Sequence, residues 1–170
     1  MPARPAPTAI RSFQAAIGTM VAAASPRGLL SLRLGAASTG GSQELLGVLQ
    51  REVEAFLAGR LKEFSVPLDP TGLSPFRVEA YHHTMQIPYG QTRSYAWLGA
   101  QIGSSARAAG MAMAGCPYLL LIPCQRVIKA DGSLGGFGGR EDLKVWLLDL
   151  ERGQSRRSGG QTARGRGRGF

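Results

Sequence analysis

Leu121-Ile122-Pro123-Cys124-Gln125-Arg126-Val127-Ile128 governs the reading of this chain. An apolar run from Tyr118 to Ile122 stops at a proline and then presents a cysteine. A polar pair follows, then the apolar Val127-Ile128. Proline has no N–H to give to a ladder, so an extended run ending at Pro123 predicts a fixed turn at Cys124. A thiol held on a rigid turn is what a nucleophile requires. It is equally what an inert buried cysteine looks like, and buried free cysteines are common. The stretch alone leaves both readings open.

The 170 residues suffice for one sizeable domain or two small ones sharing a core, and 44% apolar content fits a folded globular chain. Charges or glycines interrupt every apolar run before it reaches the length of a membrane span. Met1 to Thr8 is rich in Pro and Ala and lacks a signal peptide's apolar stretch, so a cytoplasmic location is expected. Cys116 and Cys124 are too few for a disulfide framework, and reduced thiols are the expectation. The formal charge is +9, but six arginines and no acidic residue follow Glu151, leaving +3 on residues 1–151. The Gly/Ser/Arg-rich tail, residues 152–170, cannot bury a core and is expected to be disordered. It suits sequence-blind contact with phosphates, or serves only as a solubilising tail.

Residues 1–12 read as a disordered leader. Thr19–Ala24 and Leu29–Leu34 read as a hairpin about Ser25-Pro26-Arg27-Gly28, with Leu30, Leu32 and Leu34 alternating with Ser31 and Arg33. Glu44–Ala58 carries Leu45, Leu46, Leu49, Val53, Phe56 and Leu57 on a helical stripe that Gly59 stops. Pro67–Gly72 is the expected boundary between an N-terminal α/β half with a small antiparallel sheet (13–70) and a mostly helical half (71–151). Ser74-Pro75 starts a helix to about Gln86 that should bury Phe76, Val78, Tyr81 and Met85. His82 and His83 are neighbours on that helix and point in different directions, so no metal site is expected. Ser94 caps a short helix through Gln101, Gly103 breaks it, and Ser104 or Ser105 caps a second to Ala114, the helix-turn-helix pattern. That second helix is nearly all Ala, Met and Gly, with Arg107 its only charge. It is either a small-residue helix packed in a core or a smooth helix that can press into a DNA groove.

Ile122-Pro123-Cys124-Gln125-Arg126-Val127 closely resembles the acceptor motif of the O6-alkylguanine-DNA alkyltransferases, Ile/Val-Pro-Cys-His-Arg-Val. Residues 87–95 (IPYGQTRSY) resemble the family's entry to its helix-turn-helix, and 105–110 (SARAAG) its recognition helix. Residues 131–139 (DGSLGGFGG) resemble its pocket loop, and 144–151 (KVWLLDLE) its closing helix. The clear resemblance covers about Phe76 to Glu151. It implies a monomer that binds double-stranded DNA and repairs O6-alkylguanine without a cofactor. The sulfur of Cys124 would take the alkyl group for good, after the base has been rotated out of the stack. Tyr95 matches the tyrosine that pushes on the 3′ phosphate and helps protonate the departing guanine; Arg107 matches the arginine that fills the gap. The resemblance further implies DNA contacts from Ser94, Ala106 and Arg126, and a pocket formed by Met113, Cys116, Val127, Phe137 and Gly138. The Tyr95-to-Arg107 spacing is shorter than the family's, which puts a deletion in the turn around Gly103.

The departures from the motif bear on the chemistry. In the family a histidine after the cysteine takes its proton through a water, and a glutamate, matched by Glu151, orients that histidine. Here Gln125 stands in its place, and an amide cannot accept a proton near neutral pH. Arg126, or a helix N-terminus, could offset this by lowering the thiol pKa. Cys116 replaces an Asn that braces the active-site turn, and Phe137 replaces a tyrosine of the pocket wall. Retention of Cys124 favours alkyl transfer. Gln125 favours a second reading, a protein that flips and holds alkylated guanine to flag it for other repair. A transcriptional regulator would leave the Pro-Cys-Gln-Arg turn and Glu151 without a purpose.

Overall fold

The computed structural model describes residues 3–36, 40–41 and 44–153. Three antiparallel strands open the chain in meander order: β1 (Ala9–Ala15), β2 (Gly18–Ser25) and β3 (Gly28–Leu34). Along β2, Met20, Ala22 and Ala24 are fully buried and alternate with half-exposed Val21 and Ala23, the period-2 signature of a sheet with one covered face. A register shift at Ala23/Ala24 lets β3 keep both Leu29 and Leu32 inside. The covering element is α1 (Glu44–Leu57), which packs on β1 and β2 and turns Leu46, Leu49, Val53 and Phe56 inward. Each such fully buried side chain contributes roughly 1.5–3 kcal/mol.

The predicted hairpin and helix are thus present, and a third strand joins them. β1 occupies residues 9–12 of the expected disordered leader, because Ala9 and Phe13 find a buried face against β2. Further upstream, Arg4 donates to the Leu30 carbonyl and lies over the Tyr118 ring at 6.0 Å. Of the expected tail, only residues 152–153 fall among the described residues.

The Pro67–Asp69 segment runs along β3, with Leu29 N–H donating to Pro67 O and Asp69 N–H to Leu29 O, both at 2.8 Å. This close approach requires Gly28: its φ is +149°, and a Cβ there would lie 2.6 Å from Pro67 O. On the same strand Leu32 exchanges backbone hydrogen bonds with Pro117 O and Leu119 N–H. The Tyr118 hydroxyl donates to Asp69 O at 2.5 Å. Both sides of the expected boundary therefore share one hydrophobic core.

The second half is helical: α2 (Pro75–Met85), α3 (Tyr95–Gln101), α4 (Ala106–Met113) and α5 (Glu141–Glu151). A two-residue parallel ladder joins β4 (Arg93–Ser94) to β5 (Val127–Ile128). Hydroxyls of Ser74, Ser94 and Ser105 cap α2, α3 and α4, accepting from the N–H of Arg77, Trp97 and Ala108. On α2 the expected core face is wrong apart from Tyr81. Phe76 and Val78 are exposed and Met85 is 52% exposed, while Ala80, Tyr81 and Thr84 face inward. The small α4 explains this: it comes close enough for Tyr81 OH to donate to Ala112 O at 3.1 Å and for Thr84 to reach Met113. Nor is the run before Pro123 extended. Ile122 N–H closes a turn onto Tyr118 O at 3.0 Å, and Leu120 takes φ 72° to allow it.

Candidate active site

Cys124 begins a single 3-10 turn, Cys124–Arg126, in which Arg126 N–H donates to Pro123 O at 2.9 Å. The chain then enters β5, whose pairing of Val127 with Arg93 and Ile128 with Ser94 ties the cysteine turn to the cap of α3. One short ladder thereby positions Cys124 relative to Tyr95, the first residue of α3.

Behind the turn lies a buried polar network centred on Glu151 at the end of α5. Its Oε1 accepts from Gln125 Nε2 at 2.8 Å; its Oε2 accepts from Arg126 Nε at 2.8 Å and from Gly90 N–H at 3.0 Å. Arg126 also donates to Ile87 O at 2.7 Å, and its guanidinium lies 5.5 Å from the centre of the Tyr89 ring. Two charge-assisted bonds and a cation–π contact hold this cation in place. The expectation that Arg126 touches DNA is therefore corrected: it is 6% exposed and its donors are turned inward. Gln125 is fully buried, and its Oε1 has no hydrogen-bond partner among the described residues.

In front of the turn a cavity of about 680 Å³ receives Cys124, Tyr95, Arg107, Met113, Cys116 and Phe137. Ala106 and Gly138 lie on its wall as well. Val127, expected on that wall, is instead fully buried in the ladder behind it, and Ser94 serves as the cap of α3. The loop wall comes very close to Tyr95. At Gly135, φ is +70° and a Cβ would lie 2.9 Å from the tyrosine ring, so only glycine lets the loop pass there.

Arg107 and Lys129 line this cavity, and a third cation, which sequence reasoning missed, lies buried against its wall residue Tyr95. Lys144 of α5 is fully buried, and its Nζ donates to Leu134 O at 2.5 Å, Val127 O at 2.7 Å and Tyr95 OH at 3.5 Å. Burial lowers its pKa to about 8, with the Cys124 charge opposing. The signal was available: Lys144, Leu147, Leu148 and Glu151 recur at helical spacing, which puts a lysine on the buried stripe. Lys144, and not Arg126, is the cation that favours the Cys124 thiolate.

That help is outweighed. A hydrogen bond with Cys116, then burial, then the Cys116 charge hold the Cys124 thiol well above its usual range. The same hydrogen bond lowers Cys116, against the opposing effect of its own burial. Ionisation of the pair therefore favours Cys116, and Cys124 keeps its proton longer. Burial and the Cys124 charge raise the Tyr95 phenol, which keeps it a donor at neutral pH.

Residues 75–153 match the family model for the DNA-binding domain of 6-O-methylguanine DNA methyltransferase. A DNA base-flipping protein of Thermus thermophilus is 50% identical over 104 residues, which cover 61% of this chain and 71% of that relative. A methylated-DNA–protein-cysteine methyltransferase of Methanosarcina acetivorans is 38% identical over 112 residues, 65% of this chain and 71% of its own. The crystal structure of Mycobacterium tuberculosis OGT in complex with DNA superposes with a TM-score of 0.77 at 34% identity, covering 86% of this chain and 94% of that one. With its cysteine turn, its glutamate brace and its cavity arranged around one DNA-binding domain, this chain belongs to the O6-alkylguanine-DNA alkyltransferase family of DNA-repair proteins.

Proposed function

We propose that this protein reverses O6-alkylguanine damage by moving the alkyl group irreversibly onto Cys124. The observation that carries the reading is that Cys124 lines one cavity together with Tyr95 and Arg107. A volume of about 680 Å³ lies within the usual range for a small-molecule pocket. An O6 atom is shielded inside the duplex, so the nucleotide must be rotated out to meet the thiol. In this reading α3 and α4 are a helix-turn-helix, and Arg107, exposed at the start of α4, enters the space left in the stack. Exposed Ala106 and Met111 offer little for reading base edges, which suits recognition of a lesion rather than a sequence.

The transfer is an in-line displacement. A bond forms between sulfur and the alkyl carbon, the bond from that carbon to O6 breaks, and guanine departs with the electron pair and takes up a proton. In this reading Tyr95 donates that proton, supported by Lys144 Nζ at 3.5 Å from its hydroxyl. Gln125 holds Glu151 but supplies no base, so the thiolate must come from the Cys116–Cys124 pair with the support of Lys144. No step regenerates the thiol.

The raised Cys124 pKa and the amide at Gln125 favour a second reading, in which the lesion is flipped and held without transfer. Intact-protein mass after incubation with a duplex bearing one O6-methylguanine separates the two. A methyl gained at Cys124, and absent from Cys124→Ala, supports transfer. No gain, with tighter binding of the damaged than of the undamaged duplex, means lesion binding.

A further inference from the structure

The Cys116 sulfur does not itself take the alkyl group, yet it borders the same cavity as the acceptor, and the two thiols interact. Both cysteines are free and only half-buried, and the chain holds no others. Their proximity is held from two sides. Cys116 sits between Cys116 N–H donating to Met113 O at 3.2 Å and the Pro117 carbonyl bound to Leu32 N–H at 2.8 Å. Cys124 is fixed by the 3-10 turn, with its own N–H donating to Ile122 O at 2.7 Å. Gly115, next to Cys116, takes φ +69° and has open space around it, so the backbone there can adjust.

We propose that Cys116 and Cys124 form an intramolecular disulfide when peroxide enters the cavity, masking the acceptor sulfur until a small thiol restores it. The chemistry balances. The Cys116 thiolate attacks one peroxide oxygen, the O–O bond breaks, and hydroxide leaves a sulfenic acid on Cys116. The Cys124 sulfur then attacks the sulfenic sulfur; the S–S bond forms and the hydroxyl departs as water with the thiol proton. Two electrons from the two thiols reduce one peroxide to water. Cys116 is the residue oxidised first because its interaction with Cys124 favours the thiolate, which is the nucleophile. An excess of small thiol reverses the step by exchange. Bond formation does not depend on alkyl transfer; only the masking rests on that reading.

The test treats the reduced, desalted full chain with stoichiometric hydrogen peroxide. Intact mass should fall by two hydrogens, and iodoacetamide uptake should vanish and return with dithiothreitol. Chymotrypsin cuts after Tyr118 and the leucines between the two cysteines, so a cross-linked peptide pair should survive digestion and separate on reduction. Cys116→Ser should gain oxygen at Cys124 and lose no hydrogens. Oxygen added to Cys124 of the wild type with Cys116 still free, or a disulfide between two chains on a non-reducing gel, would overturn the proposal. Transfer from the methylated duplex is then compared between oxidised and re-reduced protein. A cross-link in a protein that never accepts methyl defeats only the transferase reading.

Discussion

The two sides of the Cys124 turn are held by very different means. Behind it, a carboxylate, a guanidinium, an amide and a backbone N–H form a closed, buried network on Glu151. In front, the turn meets the soft thiol of Cys116, and the buried Lys144 acts on Cys124 through its charge. The rear network fixes geometry through charge-assisted bonds in a medium of low dielectric. The cavity side has a weak donor, a displaced proton and room to move. The side that fixes the position of Cys124 is therefore distinct from the side that sets its protonation.

The largest effect should come from opening the rear network. Glu151→Ala leaves the Arg126 guanidinium buried without its carboxylate, which costs about 3–5 kcal/mol. Denaturant unfolding checks this, and a loss below about 1 kcal/mol would mean that the network does not brace the turn. Restoring a base at the junction of the two sides comes next. Gln125→His should raise the single-turnover transfer rate at pH 7 by about 10² or more and flatten its pH dependence. In the wild type the reactive species is an anion with a raised pKa, so the active fraction grows as pH rises. Transfer should keep climbing beyond the ordinary thiol range of about 8.5. A rate already level at pH 7 would contradict that sign.

Lys144→Met removes the cation that favours the thiolate, and iodoacetamide labelling mapped to Cys124 at pH 8 should slow about tenfold, one pKa unit. Equal labelling of variant and wild type would assign Lys144 to its carbonyl contacts alone. The smallest change in stability should follow Cys116→Ala, about 1 kcal/mol, since a half-exposed thiol is lost and no charge is stranded. Comparing Glu151→Ala with Cys116→Ala in the same denaturant series measures the asymmetry directly.

Much of the local structure was legible before any fold was known. Ser74, Ser94 and Ser105 mark helix starts because a hydroxyl satisfies an otherwise orphaned N–H wherever it stands. The stripe on α1 was legible for the same local reason, as a heptad-like recurrence of leucine, valine and phenylalanine. The core face of α2 was not. A helix of mixed composition has several possible inward faces, and the partner's shape selects among them: small α4 admitted Ala80, Tyr81 and Thr84 and left Met85 outside. Residues 9–12 resembled a leader because an edge strand gains its order from its neighbour.

The order of motifs by itself determined the family, the cysteine turn and the absence of a histidine beside Cys124, since reactive groups are written directly in residue identity. Only the tertiary structure decided which charges could act. It turned Arg126 inward to Glu151, brought Lys144 to Tyr95 and the Val127 carbonyl from twenty residues downstream of Cys124, and set Cys116 beside Cys124. The physical reason is that a pKa and an ion pair depend on distance and burial, and neither quantity exists until distant segments have packed.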